Sequence, residues 1–404
     1  KSKTDPFSTH KWANSLPEIV NSGAEKSDSN ETGEPEISLA RQEFLVPDRS
    51  GLPPLAKYAH LILPEGGFRI VGYTEASRGC KHVCRHCPIV PVYDGAFRIV
   101  QREIVLEDIR RQVAAGAQHI SFGDPDFFNG PTHGLAIVEE MHRAFPKLSY
   151  DATIKIEHLL KHSEHLAKLR DTGCLFVTSA VESVDDAVLE KLAKGHTRVD
   201  FVRVAQLFRE AGLVLQPTFM PFTPWTTIES YRDLLEVLAE QDLIENVAPI
   251  QLAIRLLIPA GSRMLDLPEI REGVGEFDPA ALMYPWKHSD PRVDALAEEV
   301  QRIVERDEKE RRSRDETFSH IWNAAAHATG TSSGDSTETL AALPNFKRNG
   351  GKRAAIPHMN EPWYCCAEPT REQLVSIGAP SSAASVATNG TPSEHSLPQP
   401  DAFV

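Results

Sequence analysis

Six short apolar runs rich in β-branched residues recur between residue 68 and about residue 260 of this 404-residue chain. They read FRIVGYTEA, AQHISFGD, LSYDATIKI, CLFVTSAVE, LVLQPTFMP and PIQLAIRLLI. Stretches of helical periodicity lie between them, over 105–116, 132–145, 158–171, 185–193, 199–211 and 226–241. Gly116, Gly173 and Gly212 stand just past three of these stretches, where helices commonly stop. Strand–helix units in series call for a parallel sheet with right-handed crossovers. Six units rather than eight predict an α/β fold of the partly open (β/α)6 barrel type. In such a barrel the chemistry sits at the C-terminal ends of the strands.

The barrel is expected over residues 39–260. Residues 1–38, with KSDSNETGEPE, have too few large apolar residues for a core and predict a disordered tail. Residues 261–327 read as a helical extension, whose charged run EEVQRIVERDEKERRSRDE predicts a solvent-exposed helix. ATGTSSGDSTET marks a mobile loop over 328–345, followed by a terminal segment over 346–378. The Ser/Pro/Ala-rich residues 379–404 predict a second disordered tail.

Directly after the first apolar run stand Cys80, Cys84 and Cys87, spaced C-x3-C-x2-C. Iron–sulfur clusters are held by Cys thiolates, usually four of them. Three thiolates leave one iron without a protein ligand, and a metal centre that does chemistry keeps such a position open. A zinc site would want a fourth Cys or His, and His82 and His86 inside the motif are available. A disulfide framework is a poor fit, because six Cys in 404 residues are sparse and no signal-peptide pattern opens the chain. No stretch approaches the roughly 18 apolar residues of a membrane span. These features together predict a reduced, cytoplasmic protein with no membrane partner. A net charge of −14 argues against a nonspecific nucleic-acid binder, which would carry a basic stripe.

The cysteine spacing resembles the signature of the radical S-adenosylmethionine (SAM) enzymes. The resemblance covers about 190 residues and implies a [4Fe–4S] cluster on Cys80, Cys84 and Cys87. Its open iron would chelate the amino and carboxylate groups of SAM, and a carrier such as flavodoxin or ferredoxin would deliver the electron. His86 falls where the family usually has an aromatic residue against the adenine. Gly123-Asp124-Pro125, ending the second run, falls where the family's Gly-Gly-Glu-like motif grips the SAM amino group, although the same tripeptide could be an ordinary turn. The third run supplies Lys155 and Glu157. Glu182-Ser183 followed by LEKLAKGH resembles an "ES…L..L.KGH" stretch of many subfamilies, in which Glu182 and Lys194 help to hold SAM. Bland roles for these two are a helix-capping acid and a surface lysine. Gln251 and Arg255 sit in the apolar sixth run, where Arg255 is a further SAM-binding candidate and a buried structural network is the alternative.

A second feature is Trp363-Tyr364-Cys365-Cys366-Ala367-Glu368-Pro369. This segment looks like the CUAEP/CCAEP tail of a radical SAM group in which some members carry selenocysteine. A position that alternates between thiol and selenol implies a soft nucleophile or soft-element ligand. Cys365 and Cys366 could bind trivalent arsenic, ligate an additional cluster, act as a redox dithiol or simply pack behind Trp363. Cys174, alone in an apolar strand, reads as core. The resemblance extends to the radical SAM enzyme of arsinothricin biosynthesis, which implies transfer of a 3-amino-3-carboxypropyl radical from SAM to arsenite. Two rival functions are a 5′-deoxyadenosyl-radical enzyme acting on a peptide or small metabolite, and a sensor of thiol-reactive metals.

Overall fold

A computed structural model describes residues 42–329 and 354–361. The two expected tails, most of the expected 328–345 loop, and Cys365 and Cys366 lie outside the described residues. The strands are β1 (His60–Ile62), β2 (Phe68–Thr74), β3 (Ser77–Gly79), β4 (Phe97–Ile99), β5 (His119–Phe122), β6 (Ser149–Thr153), β7 (Cys174–Glu182), β8 (Val214–Phe219) and β9 (His358–Met359). The helices are α1 (Val90–Tyr93), α2 (Arg102–Ala114), α3 (Pro131–Ala144), α4 (Ile156–Lys161), α5 (Leu166–Asp171), α6 (Asp186–Lys191), α7 (Arg198–Ala211), α8 (Ile228–Glu240), α9 (Pro268–Gly273), α10 (Pro291–Lys309) and α11 (Arg314–Ala328).

One sheet runs β8-β7-β6-β5-β2-β1-β9. Strands β2, β5, β6, β7 and β8 pair in parallel, each reached through helices, so the predicted α/β half-barrel is what forms. The sixth run does not form a strand. Pro249–Leu252 winds into a 3-10 turn, helped by the fixed φ and missing N–H of Pro249. Only a single parallel bridge, Phe222 to Arg255, remains at the sixth position. There Phe222 donates to the Ile254 carbonyl and accepts from the Leu256 N–H.

The outer side of the sheet is apolar and packs on the helices. Ile120, Tyr150, Ala152 and Val177 are fully buried there in one cluster with Ile109, Phe201 and Leu235. Burying each large side chain is worth about 1.5–3 kcal/mol relative to leaving it exposed. Helices α7, α8 and α11 each start with a capping box, Thr197 with Asp200, Thr227 with Ser230 and Ser313 with Glu316.

The inner face is different. Ser121, Asp151, Thr153, Thr178, Gln216 and Thr218 line a cavity of about 1700 Å³. Its floor is apolar: Leu61, Val71 and Phe176 are buried together, with Met359 and Val214 against them. Strand β9 pairs antiparallel to β1, which is itself antiparallel to β2. The sheet curls so far that the Pro357 carbonyl, beside β9, accepts from Gln216 Nε2 on the opposite edge strand at 2.6 Å.

The charged run expected to be solvent-exposed is instead amphipathic. Val300, Ile303 and Val304 on α10 are buried, at the i, i+3, i+4 spacing of a core-facing stripe. The run also breaks at Arg311, whose φ of 56° turns the chain into α11.

Candidate active site

The cluster loop, residues 80–96, is held at both ends by a two-stranded ribbon, β3 against β4. Only glycine fits at position 79. Its φ is +80°, and a Cβ there would lie 2.5 Å from the Ala96 carbonyl oxygen. Inside the loop the Cys87 N–H donates to the Cys84 carbonyl at 3.2 Å, a tight turn that gathers the thiols. Arg85 fastens the loop to the end of α6. Its N–H donates to Leu192 and its guanidinium to the carbonyls of Glu190 and Lys191. Asn129 Nδ2 donates to the Gly79 carbonyl from the other side.

Cys80, Cys84 and Cys87 are free thiols that all line the cavity. The other free cysteine among the described residues, Cys174, is fully buried in the outer core. Three soft donors on one short loop, opening on a cavity, fit a [4Fe–4S] cluster with one open iron. Burial pushes the Cys80 thiol up, so a metal held there would displace a proton.

Against the loop, at the end of β7, lies a second centre to which the loop itself contributes His86. Glu182 is buried, with Oε1 3.2 Å from His86 Nε2 and 3.3 Å from Lys194 Nζ. Lys194 and His86 outweigh burial and hold the carboxyl at about 2, so Glu182 is an anion at any physiological pH. Its backbone has φ of 70°, at a bulge between β7 and β8, a conformation non-glycine residues rarely take outside functional turns. His196 lies beside this centre, buried, with both ring nitrogens unpartnered. Burial and Lys194 lower it to about 4, which keeps the ring neutral.

The structure brings most of the sequence-derived candidates together. Gly123, Asp124, Pro125, Lys155, Glu182, Lys194 and His86 all line the cavity that holds the three thiols. Two carry qualifications of geometry. Asp124 already accepts from the Ala76 N–H at 2.8 Å and the Ser77 hydroxyl at 2.6 Å, bracing the turn between β2 and β3. Burial pushes its carboxyl up to about 6. Gly123 lies under Tyr73, whose hydroxyl a Cβ at position 123 would approach to 1.8 Å. Arg255 stands apart from the cavity. It pairs with Asp294 at 2.8 Å and stacks on Trp286 at 4.1 Å from the ring centroid.

Sequence reasoning missed the polar inner face. A signal was present: β5, β6 and β8 carry polar residues at alternate positions, whereas strands of a parallel sheet packed on both sides run apolar throughout. It also missed Asp126 and His158, buried behind the cluster loop. They have no local sequence signature.

Comparison with known proteins accords with this geometry. A model of the Radical SAM superfamily matches residues 74–238. The tRNA-2-methylthio-N(6)-dimethylallyladenosine synthase of Desulfosudis oleivorans is 27% identical over 220 residues, covering 52% of this chain and 45% of that protein. The hopanoid C-3 methylase of Methylococcus capsulatus is 26% identical over 149 residues, covering 35% of this chain and 28% of that protein. The chain thus spans less than half the length of these relatives. The cobalamin-dependent S-adenosylmethionine radical enzyme OxsB, solved with aqua-cobalamin and S-adenosylmethionine bound, shares the fold with a TM-score of 0.53. That likeness covers 67% of this chain and 49% of OxsB at 16% identity. Among the described residues no helix is long and apolar enough to cross a membrane. With its matching cysteine loop and half-barrel, the chain carries a domain of the radical SAM superfamily, whose cofactors are a [4Fe–4S] cluster and S-adenosylmethionine.

Proposed function

We propose that the chain is a radical SAM transferase that moves the 3-amino-3-carboxypropyl group of SAM onto trivalent arsenic, forming a carbon–arsenic bond. The observation that carries this reading is the sharing of one cavity by three elements: the Cys80/Cys84/Cys87 loop, the Glu182–Lys194–His86 centre and the end of the described chain at Glu361. When bound, the cluster would supply the electron that cleaves the sulfonium to methylthioadenosine and an aminocarboxypropyl radical, and would take one electron back as that radical adds to As(III), so that arsenic ends pentavalent and the transfer is redox-neutral overall. The chain's own residues bind and orient. The Glu182 carboxylate suits the N–H groups of the SAM amino nitrogen, while Lys194 and Lys155 suit its carboxylate or ribose hydroxyls. A one-electron carrier of the flavodoxin or ferredoxin kind is the reductant.

Support for Cys365 and Cys366 as the arsenic ligands comes from chain direction. Strand β9 runs parallel to β2, so the described chain ends at Glu361 heading toward the C-terminal ends of the strands, where the cluster loop lies. Cys365 is four residues further on, a reach of at most about 14 Å. Vicinal thiols are the soft ligands that trivalent arsenic prefers.

The curated relatives favour a second reading, in which the transferred group is a methyl or methylthio group. Anaerobic turnover with SAM and dithionite, with and without arsenite, separates the two. Methylthioadenosine together with an arsenic-dependent aminocarboxypropyl adduct supports arsenic transfer. S-Adenosylhomocysteine or 5′-deoxyadenosine, unchanged by arsenite, overturns it and points to methyl transfer or hydrogen abstraction.

A further inference from the structure

We infer that His82, Asp126 and His158 form a binding site for one divalent first-row transition metal ion, separate from the cluster and set in the cavity wall. The three residues come from three elements. His82 lies in the cluster loop, Asp126 just after β5 and His158 in the first turn of α4. One ligand atom from each lies within 4.8 Å of the other two.

The facing atoms are buried and close together. Asp126 is buried and its Oδ1 accepts from the N–H of Phe128, at 3.1 Å. Its Oδ2 sits 2.6 Å from Nδ1 of the buried His158, an ion-pair contact outside the alignment of a regular hydrogen bond. Nε2 of His82 lies 3.6 Å from the same Oδ2. Ligands about 2.0–2.1 Å from a tetrahedral zinc stand roughly 3.3 Å apart, so a slight opening of the Asp126–His158 gap admits an ion.

The donor set is chemically specific. Two imidazoles and one carboxylate suit zinc or ferrous iron. In the structure His82 Nδ1 lies 3.1 Å from Lys155 Nζ, which also bonds Glu157 at 3.2 Å. Ligation through Nε2 requires Lys155 to turn wholly to Glu157, leaving the Nδ1 proton to face Glu157 Oε2, now 3.8 Å away. His82 and Asp126 both line the cavity, so the ion's remaining positions open toward it, as in zinc sites that do chemistry.

Without an ion, the same groups form a chain from Lys155 through His82 to His158 and Asp126, and the test decides between the two. The full-length protein, with its cluster reconstituted anaerobically, is titrated with zinc, desalted, and studied by metal analysis and zinc-edge X-ray absorption. The result expected is one zinc per chain with nitrogen and oxygen ligands. Asp126→Asn keeps the Phe128 cap, and His158→Gln keeps a polar side chain. Each lowers zinc affinity at least tenfold with cluster iron and visible absorbance unchanged. Ferrous iron enriched in 57Fe, added in place of zinc, gives a Mössbauer ferrous doublet outside the cluster if iron is the ion held. Retention of neither metal, zinc bound by sulfur alone, or unchanged affinity in both variants overturns the site.

Discussion

Cys84 is buried under the loop it helps to shape, and its carbonyl anchors Cys87. Replacing Cys84 with Ala removes one of the three thiols proposed to hold the cluster. It is expected to abolish the visible absorbance of the reconstituted cluster and all SAM cleavage, read by spectroscopy and product analysis. Glu182 tests the centre at the end of β7. Its folded-state pKa of about 2 lies below its ordinary value near 4.3, so its ionisation stabilises the fold above about pH 4.3. That contribution fades as pH falls from about 4.3 toward 2. Glu182→Gln should flatten this acid limb of stability, measured by urea unfolding from pH 5 to 2. At neutral pH the variant loses roughly 3 kcal/mol, because the anion facing Lys194 and His86 is gone. At this scale the sequence made the thiols and Glu182 legible, since both stand in compact motifs. Asp126 and His158 were not legible, because 31 intervening residues separate them and only the packing of α4 behind the cluster loop joins them.

Elements were legible where their pattern is local. Helices α2, α3, α7 and α8 begin and end within three residues of the spans predicted from periodicity, and α7, with the Thr197 capping box and the Gly212 stop, carries both terminal signals. The 158–171 stretch splits into α4 and α5 around a 3-10 turn at Ser163–His165. The sixth strand failed because Pro249 directs a turn into a run that is otherwise β-like. Strands β1 and β9 were not foreseen. They are three and two residues long, and their pairing spans nearly 300 positions. Leu61, 0% exposed, is the apolar contact between them and the barrel floor. Leu61→Ala should cost about 3 kcal/mol by urea unfolding, the usual range for a core leucine. Thr227→Ala, which removes the cap of α8, should cost about 1 kcal/mol. A larger loss from Thr227→Ala than from Leu61→Ala would contradict the assignment of the floor as a packed core.

On the scale of the molecule, the half-barrel was legible because strand–helix alternation leaves few topologies open. The contents of its lumen were less so, because a polar inward position in a strand looks like a solvent-facing one until the sheet is seen to curl. The proposal joins the cluster loop to the CCAEP segment through that lumen. Replacing Cys365 and Cys366 together should therefore leave cluster iron and reductive SAM cleavage in place while removing the arsenic adduct from the products. Full adduct yield from the double variant would separate the two thiols from arsenic docking. The central claim is that three cysteines leave an iron open to SAM in this cavity. Electron–nuclear double resonance of the reduced cluster, with SAM labelled by 17O in its carboxylate and 15N in its amino group, tests it most directly. Hyperfine coupling to both labels is the expected result. A reduced-cluster spectrum untouched by SAM, with neither coupling, would contradict it.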